Sequence, residues 1–138
     1  MSLFRILDVA GTGLAAQTVR LNLVASNLAN AETVSSSVDR TYRARHPVFA
    51  AVLEGETDAP DASPGVRVLD VVESATPLQG EYRPEHPLAD RDGYVYRPNV
   101  NVVEELANMI SASRSYETNV EVLNTSKQLV LRTLSLGQ

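Results

Sequence analysis

The sequence contains no cysteine and no tryptophan, and its only aromatic residues are five tyrosines and two phenylalanines. The absence of cysteine excludes disulfides and thiolate chemistry and removes the usual zinc-binding patterns. An aromatic-poor core favours helix packing by Leu, Val and Ala. No apolar run approaches the roughly 18 residues that a membrane-spanning helix requires. The N-terminal segment lacks the features of a secretory signal, so we expect any export to proceed without a removable Sec-type signal.

Clusters of basic residues are also scarce. The formal net charge is −5, from 17 acidic and 12 basic residues. Phosphate binding requires clustered Lys and Arg, so this charge argues against a nucleic-acid partner. A chain of 138 residues is long enough for one modest domain.

The last forty residues are organised as a heptad repeat that predicts a long helix. Its stripe is apolar except at two positions and comprises Val102, Leu106, Met109, Ser113, Tyr116, Val120, Leu123, Lys127, Val130 and Leu134. A strict seven-residue repeat favours a left-handed supercoil with a partner helix. Asn101 followed by Glu104 resembles a capping box, which marks the start of the helix.

A second heptad repeat predicts another helix from residue 3 to about residue 31. Its stripe comprises Leu7, Ala10, Leu14, Gln17, Leu21, Val24, Leu28 and Ala31. Gly11 and Gly13 weaken this helix by about 1 kcal/mol each relative to Ala, so we expect a bend or a tight helix contact there. The two terminal helices therefore pair with each other within one chain, or with terminal helices of other subunits.

The middle of the chain predicts a small β-rich insert. Residues 54–65 form an acidic loop, residues 66–73 are the clearest strand, and a turn-rich crossing with four Pro or Gly residues follows. Asp92-Gly93 predicts a hairpin turn before a short strand at 94–96. The expected fold is α+β, with an N-terminal coiled-coil helix at 1–33, the insert at 34–98 and a C-terminal coiled-coil helix at 99–138.

No motif predicts catalysis, a cofactor or a bound metal. Gly11, Gly13 and Ala16 match a dinucleotide-binding pattern, but that pattern requires a preceding strand and a βαβ unit, and the heptad repeat argues against both. The remaining alternatives are a nucleotide-binding protein built on those glycines and a cytoplasmic helical interaction module. A basic group at Arg40, Arg43 and Arg45 is either a solvated strand face or a contact to an acidic neighbouring subunit.

Residues 21–33, LNLVASNLANAET, resemble the N-terminal signature of bacterial flagellar basal-body rod proteins. The C-terminal runs 97–105, 109–119 and 123–127 are similar to the proximal rod subunits of that family. The matching positions that we single out are Ser26, Asn27, Ala29, Asn30, Thr33, Pro98, Asn99, Asn101, Ser115, Tyr116 and Asn119.

The resemblance implies a structural protein that is exported unfolded by the flagellar type III secretion apparatus and polymerises into the rod, the helical drive shaft of the motor. It implies no cofactor and no small-molecule substrate. The implied partners are further copies, other rod subunits, the junction protein between rod and membrane ring, and the export apparatus. The expected interface residues are Leu7, Leu14, Leu21, Val24, Leu28, Val102, Leu106, Met109, Tyr116, Val120, Leu123, Val130 and Leu134. Phe49 and Leu53 resemble an element that engages the export gate, and burial in the β insert explains these two residues equally well.

Overall fold

The computed structural model describes residues 3–53 and 64–136, so most of the predicted acidic loop at 54–65 lies outside the described residues. The elements in chain order are α1 (Leu3–Asn30), a short 3₁₀ helix (Val38–Arg40), β1 (Arg45–Val52), β2 (Gly65–Glu73), β3 (Gln79–Tyr82), β4 (Tyr94–Arg97) and α2 (Val102–Leu136). Two long helices thus flank a small β region, and the α+β prediction is confirmed. Within the described ranges, neither helix is long and apolar enough to cross a membrane.

Asn101 marks the start of α2, as the sequence predicts. Its Oδ1 accepts hydrogen bonds from the backbone N–H groups of Val103 (3.1 Å) and Glu104 (3.4 Å). These N–H groups have no partner inside the helix, so the side chain satisfies them. Pro98 is buried, and Pro98 and Asn99 both lie before the helix, which begins at Val102.

The β region contains two sheets of two strands each, one formed by β1 and β2 and the other by β3 and β4. Strands β3 and β4 are antiparallel, with Gln79 opposite Arg97 and Tyr82 opposite Tyr94. Ser35 adds a short bridge to β4, because its N–H and C=O both bond to Tyr96 at 3.0 and 2.9 Å.

The prediction of a turn-rich crossing before residue 87 was wrong at β3. Gly80 lies inside this strand, opposite Tyr96. A Cβ atom at Gly80 would lie 3.5 Å from the Tyr96 ring, so the ring covers the space that the glycine leaves. Gly93 does form the predicted turn, at φ 84°, but it ends a longer connection from residue 83 rather than a two-residue hairpin.

The chain divides into two compact units. The first unit comprises residues 1–21, 47–70 and 111–138, and its buried side chains are small: Ala10, Ala16, Ala112 and Ser126. Helices α1 and α2 approach closely in this unit, since a Cβ atom at Gly13 would lie 2.9 Å from Asn119 Nδ2. The tight helix contact expected at the glycines is therefore present, and α1 continues through Gly11 and Gly13 without interruption.

The second unit comprises residues 22–46 and 71–110. Its buried side chains include Val24, Asn27, Ala31, Thr41, Ala44, Val95 and Glu105. Val95 and Asn27 are its largest fully buried residues, so a polar amide occupies the centre of this unit. Such an amide is tolerated only when its hydrogen bonds are satisfied.

Candidate functional site

Asn27 is fully buried near the end of α1 and joins the helix to the segment that leads into β1. Its Nδ2 donates to the backbone oxygen of Arg45 at 3.0 Å. Its Oδ1 accepts from the Tyr42 hydroxyl at 2.8 Å and from the Arg45 N–H at 2.9 Å. Both ends of the amide are therefore used, and Ser26 adds a contact to the Tyr42 hydroxyl at 3.1 Å.

Asn99 holds the same segment from the other side. Its Oδ1 accepts from the Ala44 N–H at 2.8 Å, and its Nδ2 donates to the backbone oxygens of Ser74 (3.2 Å) and Thr76 (2.8 Å). Residues 44 and 45 are thus fixed by one asparagine before α2 and one within α1. We call Asn27, Asn99 and the groups that they bond the asparagine network.

Other asparagines of the predicted set act locally. Asn30 Nδ2 donates to the Ser26 backbone oxygen at 2.8 Å, within the same helix. The Asn30 backbone oxygen accepts from both the hydroxyl (2.7 Å) and the N–H (3.1 Å) of Thr33. These bonds satisfy carbonyl groups at the end of α1. Asn119 packs against Gly13, and its amide makes no hydrogen bond within residues 3–53 and 64–136.

A series of ion pairs also links elements of the second unit, outside the asparagine network. Arg97 Nη2 on β4 lies 2.9 Å from Glu32 Oε2, just after α1, and Arg97 Nη1 lies 3.8 Å from Glu81 on β3. Glu81 also pairs with Arg83 at 2.9 Å. These side chains are substantially exposed, so the ion pairs make a small contribution to stability.

A carboxylate orders the connection between β3 and β4. Asp90 Oδ1 accepts from the N–H groups of Tyr94 (2.8 Å) and Asp92 (2.9 Å), and the Tyr96 hydroxyl donates to Oδ2 at 3.3 Å. The bond from Tyr94 is the main cause that holds the pKa of Asp90 below its usual value. Burial and the Asp90 charge raise the pKa of Tyr96.

The predicted interface stripe on α2 lies beside the most buried stripe of that helix. The most buried positions are Glu105, Ala112 and Ser126, at seven-residue or fourteen-residue spacing. The predicted residues Met109, Val120, Leu123 and Val130 are half-buried, whereas Val102, Leu106, Tyr116 and Leu134 are exposed. On α1, Val24 is buried and the four predicted leucines are half-buried, namely Leu7, Leu14, Leu21 and Leu28.

The chain is similar over its length to known proteins. Residues 7–34 match the model of the flagella basal body rod protein family, and residues 91–136 match that of the flagellar basal body rod FlgEFG protein C-terminal region. The chain is 52% identical over 139 residues to the flagellar basal-body rod protein FlgC of Escherichia coli O6:H1 and 51% identical over 140 residues to that of Salmonella typhimurium, and each match covers 100% of both chains.

The chain belongs to the flagellar basal-body rod protein family. A more distant member, FlgC of Borreliella burgdorferi, is 38% identical over 151 residues, with 100% of this chain and 99% of that protein aligned. The protein is thus a structural subunit of the flagellar basal-body rod, and it associates with other basal-body components and with itself.

The rod-protein motif contains several residues that build the asparagine network. Asn27 and Asn99 form its centre, and Ser26 contacts Tyr42. The sequence did not predict the part played by Tyr42 or the pairing of Ser35. The partners of Tyr42 and Ser35 lie on elements that are distant in the sequence, and no local sequence pattern predicts such contacts. Ala29 is exposed and Ser115 is half-buried, and neither side chain forms a hydrogen bond or an ion pair within the described residues.

The nucleotide-binding alternative was wrong. Gly11, Gly13 and Ala16 lie within α1, which already begins at Leu3, so no strand precedes them in the described chain. The dinucleotide pattern acts only at a turn between a strand and a helix. Within the described ranges, no three His, Asp or Glu side chains are grouped to hold a metal ion.

Proposed function

We propose that this rod subunit polymerises through apolar side chains of its terminal helices that its own fold leaves uncovered. One observation carries the proposal: four predicted interface residues on α2 remain 37–64% exposed, namely Val102, Leu106, Tyr116 and Leu134. Large exposed apolar side chains that follow a heptad stripe are typical of a helix that packs against a partner helix.

The two sides of the stripe take different parts in this proposal. Small and polar residues, such as Ala112 and Ser126, are buried within the chain. Leu123 and Val130 lie beside them on α2 and are half-buried, whereas the four interface residues named above are exposed. A neighbouring helix would cover the exposed side chains without displacing the contacts already made. Burial of a Leu or Val side chain stabilises such a contact by about 1.5–3 kcal/mol.

The proposed neighbours are other rod subunits and the junction protein that links the rod to the membrane ring. In this arrangement the subunit transmits motor torque through its helix interfaces, in the part of the rod that crosses the periplasm. The subunit would reach that position by flagellar type III export without signal cleavage. Phe49 in β1 and Leu53 just after it are 38% and 63% exposed, and we propose that they engage the export gate.

A matched pair of variants tests the helix interface. Leu106 on α2 and Leu88 in the connection before β4 are both 47% exposed. We expect Leu106→Asp to remove the subunit from purified basal bodies and to abolish swimming, because a carboxylate cannot be buried against an apolar helix. Leu88→Asp should swim. Both proteins should unfold at about the wild-type temperature, and normal swimming of Leu106→Asp would refute the interface.

A further inference from the structure

A polar cleft of about 680 Å³ lies in the second unit, between the end of α1 and the segment that leads into β1. Its charged lining residues are Asp39, Arg40, Arg43, Arg45 and Glu73. Two of these charges largely satisfy each other, because Arg45 Nη2 lies 3.5 Å from Glu73 Oε1. Arg45 also stacks over the Tyr42 ring at 5.6 Å.

The other two arginines of the cleft have unused hydrogen-bonding capacity. The exposed Arg40 guanidinium makes no ion pair or hydrogen bond within the part of the chain that the structure describes. The Arg43 guanidinium makes one long bond, from Nη1 to the Ser74 backbone oxygen at 3.5 Å. Among the described lining residues, Asp39 is the single opposing charge left. These residues therefore present a net positive surface with two available guanidinium groups. Guanidinium groups bind carboxylates through paired hydrogen bonds.

Two carboxylates lie close together on the exposed surface of α2. Glu117 and Glu121 are exposed, and neither forms an ion pair within the described ranges. They are four residues apart on the same helix face, where like charges destabilise a helix. They also line a shallow groove of about 500 Å³ together with Tyr116 and Val120, two residues of the predicted interface stripe. A neighbour seated on that stripe would therefore lie beside this acidic pair.

We propose that Arg40 and Arg43 of one copy bind Glu117 and Glu121 of a second copy. The proposal rests on self-association of the subunit in the rod, and it identifies one contact between neighbouring copies. The basic surface belongs to the second unit and the acidic surface to the first. The two surfaces are different parts of the same chain, so the contact can repeat head-to-tail from copy to copy, and such repetition produces a ring or an open helical polymer. An open helical polymer has the symmetry that a tubular rod requires.

Reversal of the charges tests the contact in cells that make only the variant subunit and no wild-type subunit. We expect Arg40→Glu with Arg43→Glu, and separately Glu117→Arg with Glu121→Arg, to lower incorporation into purified basal bodies by about tenfold, because each brings like charges together. The protein that carries all four changes should regain incorporation. Arg91→Glu and Glu85→Arg are the matched controls, since both residues are exposed and lie outside the cleft and the groove. Normal assembly of either double reversal, or failure of the four-fold exchange to restore assembly, overturns the proposal.

Cross-linking locates the partner surface directly, because the chain has no cysteine of its own. Cells would make two versions together, one with Arg40→Cys and one with Glu121→Cys. A short bismaleimide is suitable, since an Arg–Glu pair holds its Cα atoms beyond the roughly 7 Å that a disulfide can bridge. We expect a covalent dimer in basal bodies only when both versions are present.

Each other outcome of the cross-linking has a definite meaning. If basal bodies contain both versions and no covalent dimer forms, the proposed contact is overturned. A dimer that forms instead with Asp58→Cys shows that the acidic run at 54–61 occupies the cleft, and it also overturns the proposal. Absence of wild-type subunits from the purified basal bodies would contradict assembly into the rod as a whole rather than this contact alone.

Discussion

Replacement of Asn27 by alanine tests the asparagine network, which holds the second unit together. The change removes three hydrogen bonds, those to the Arg45 oxygen, the Arg45 N–H and the Tyr42 hydroxyl. At about 1 kcal/mol for each bond, the free energy of unfolding should fall by about 3 kcal/mol. Each polar group left without a partner lowers the free energy of unfolding by about 1–3 kcal/mol. We expect a loss at the lower end of this range, because the Tyr42 hydroxyl keeps its contact to Ser26.

Asn30→Ala is the matched control. It replaces the same residue type by alanine near the end of the same helix. Asn30 loses one bond only, to the Ser26 oxygen in its own helix. The difference between the two variants therefore isolates the bonds that Asn27 makes to residues 42–45.

Urea unfolding of the purified protein, followed by circular dichroism, gives the measurement. We expect the Asn27→Ala midpoint to fall well below that of Asn30→Ala, with the denaturant dependence unchanged. Asn99→Ala should be comparably destabilising. The double variant should lose less than the sum of the two single losses, because both asparagines hold residues 44 and 45. Equal midpoints for Asn27→Ala and Asn30→Ala would refute the reasoning.

Two further predictions concern the connection before β4. Gly93→Ala should lower the free energy of unfolding by more than about 1 kcal/mol, since φ is 84° and a Cβ atom would lie 2.8 Å from the Tyr82 ring and 3.2 Å from Pro84 Cβ; an unchanged urea midpoint would contradict this. Asp90 has a lowered pKa, caused first by the bond from Tyr94, so its contribution to stability is present above the unfolded-state pKa, about 3.9, and is lost as pH falls through the lower folded value. Thermal unfolding of wild type and Asp90→Asn from pH 7 to pH 2 should show a difference that disappears at the acid end, and a difference independent of pH would exclude the proposed charge effect.

The sequence by itself determined the two long helices and their limits. Heptad spacing, the N-cap at Asn101 and the turn at Gly93 are local signals, read from residues that lie within a few positions of one another. The strand at residues 66–73 was also predicted, and β2 spans Gly65–Glu73. The rod-protein motif was recognised from its residues, and the family membership is confirmed.

The tertiary structure alone decided which groups those residues meet. Asn27 bonds Arg45 across 18 positions, and Asn99 bonds Ala44 across 55. Strand β3 forms although Gly80 weakens it, because the strand pairs with β4, where Tyr96 lies opposite the glycine. The stripe that α2 buries within the chain, at Glu105, Ala112 and Ser126, is not the apolar stripe that the sequence displays. Periodicity reports where apolar side chains repeat along a helix, whereas the contacts made by distant elements determine which of them the chain covers and which it leaves for a neighbour.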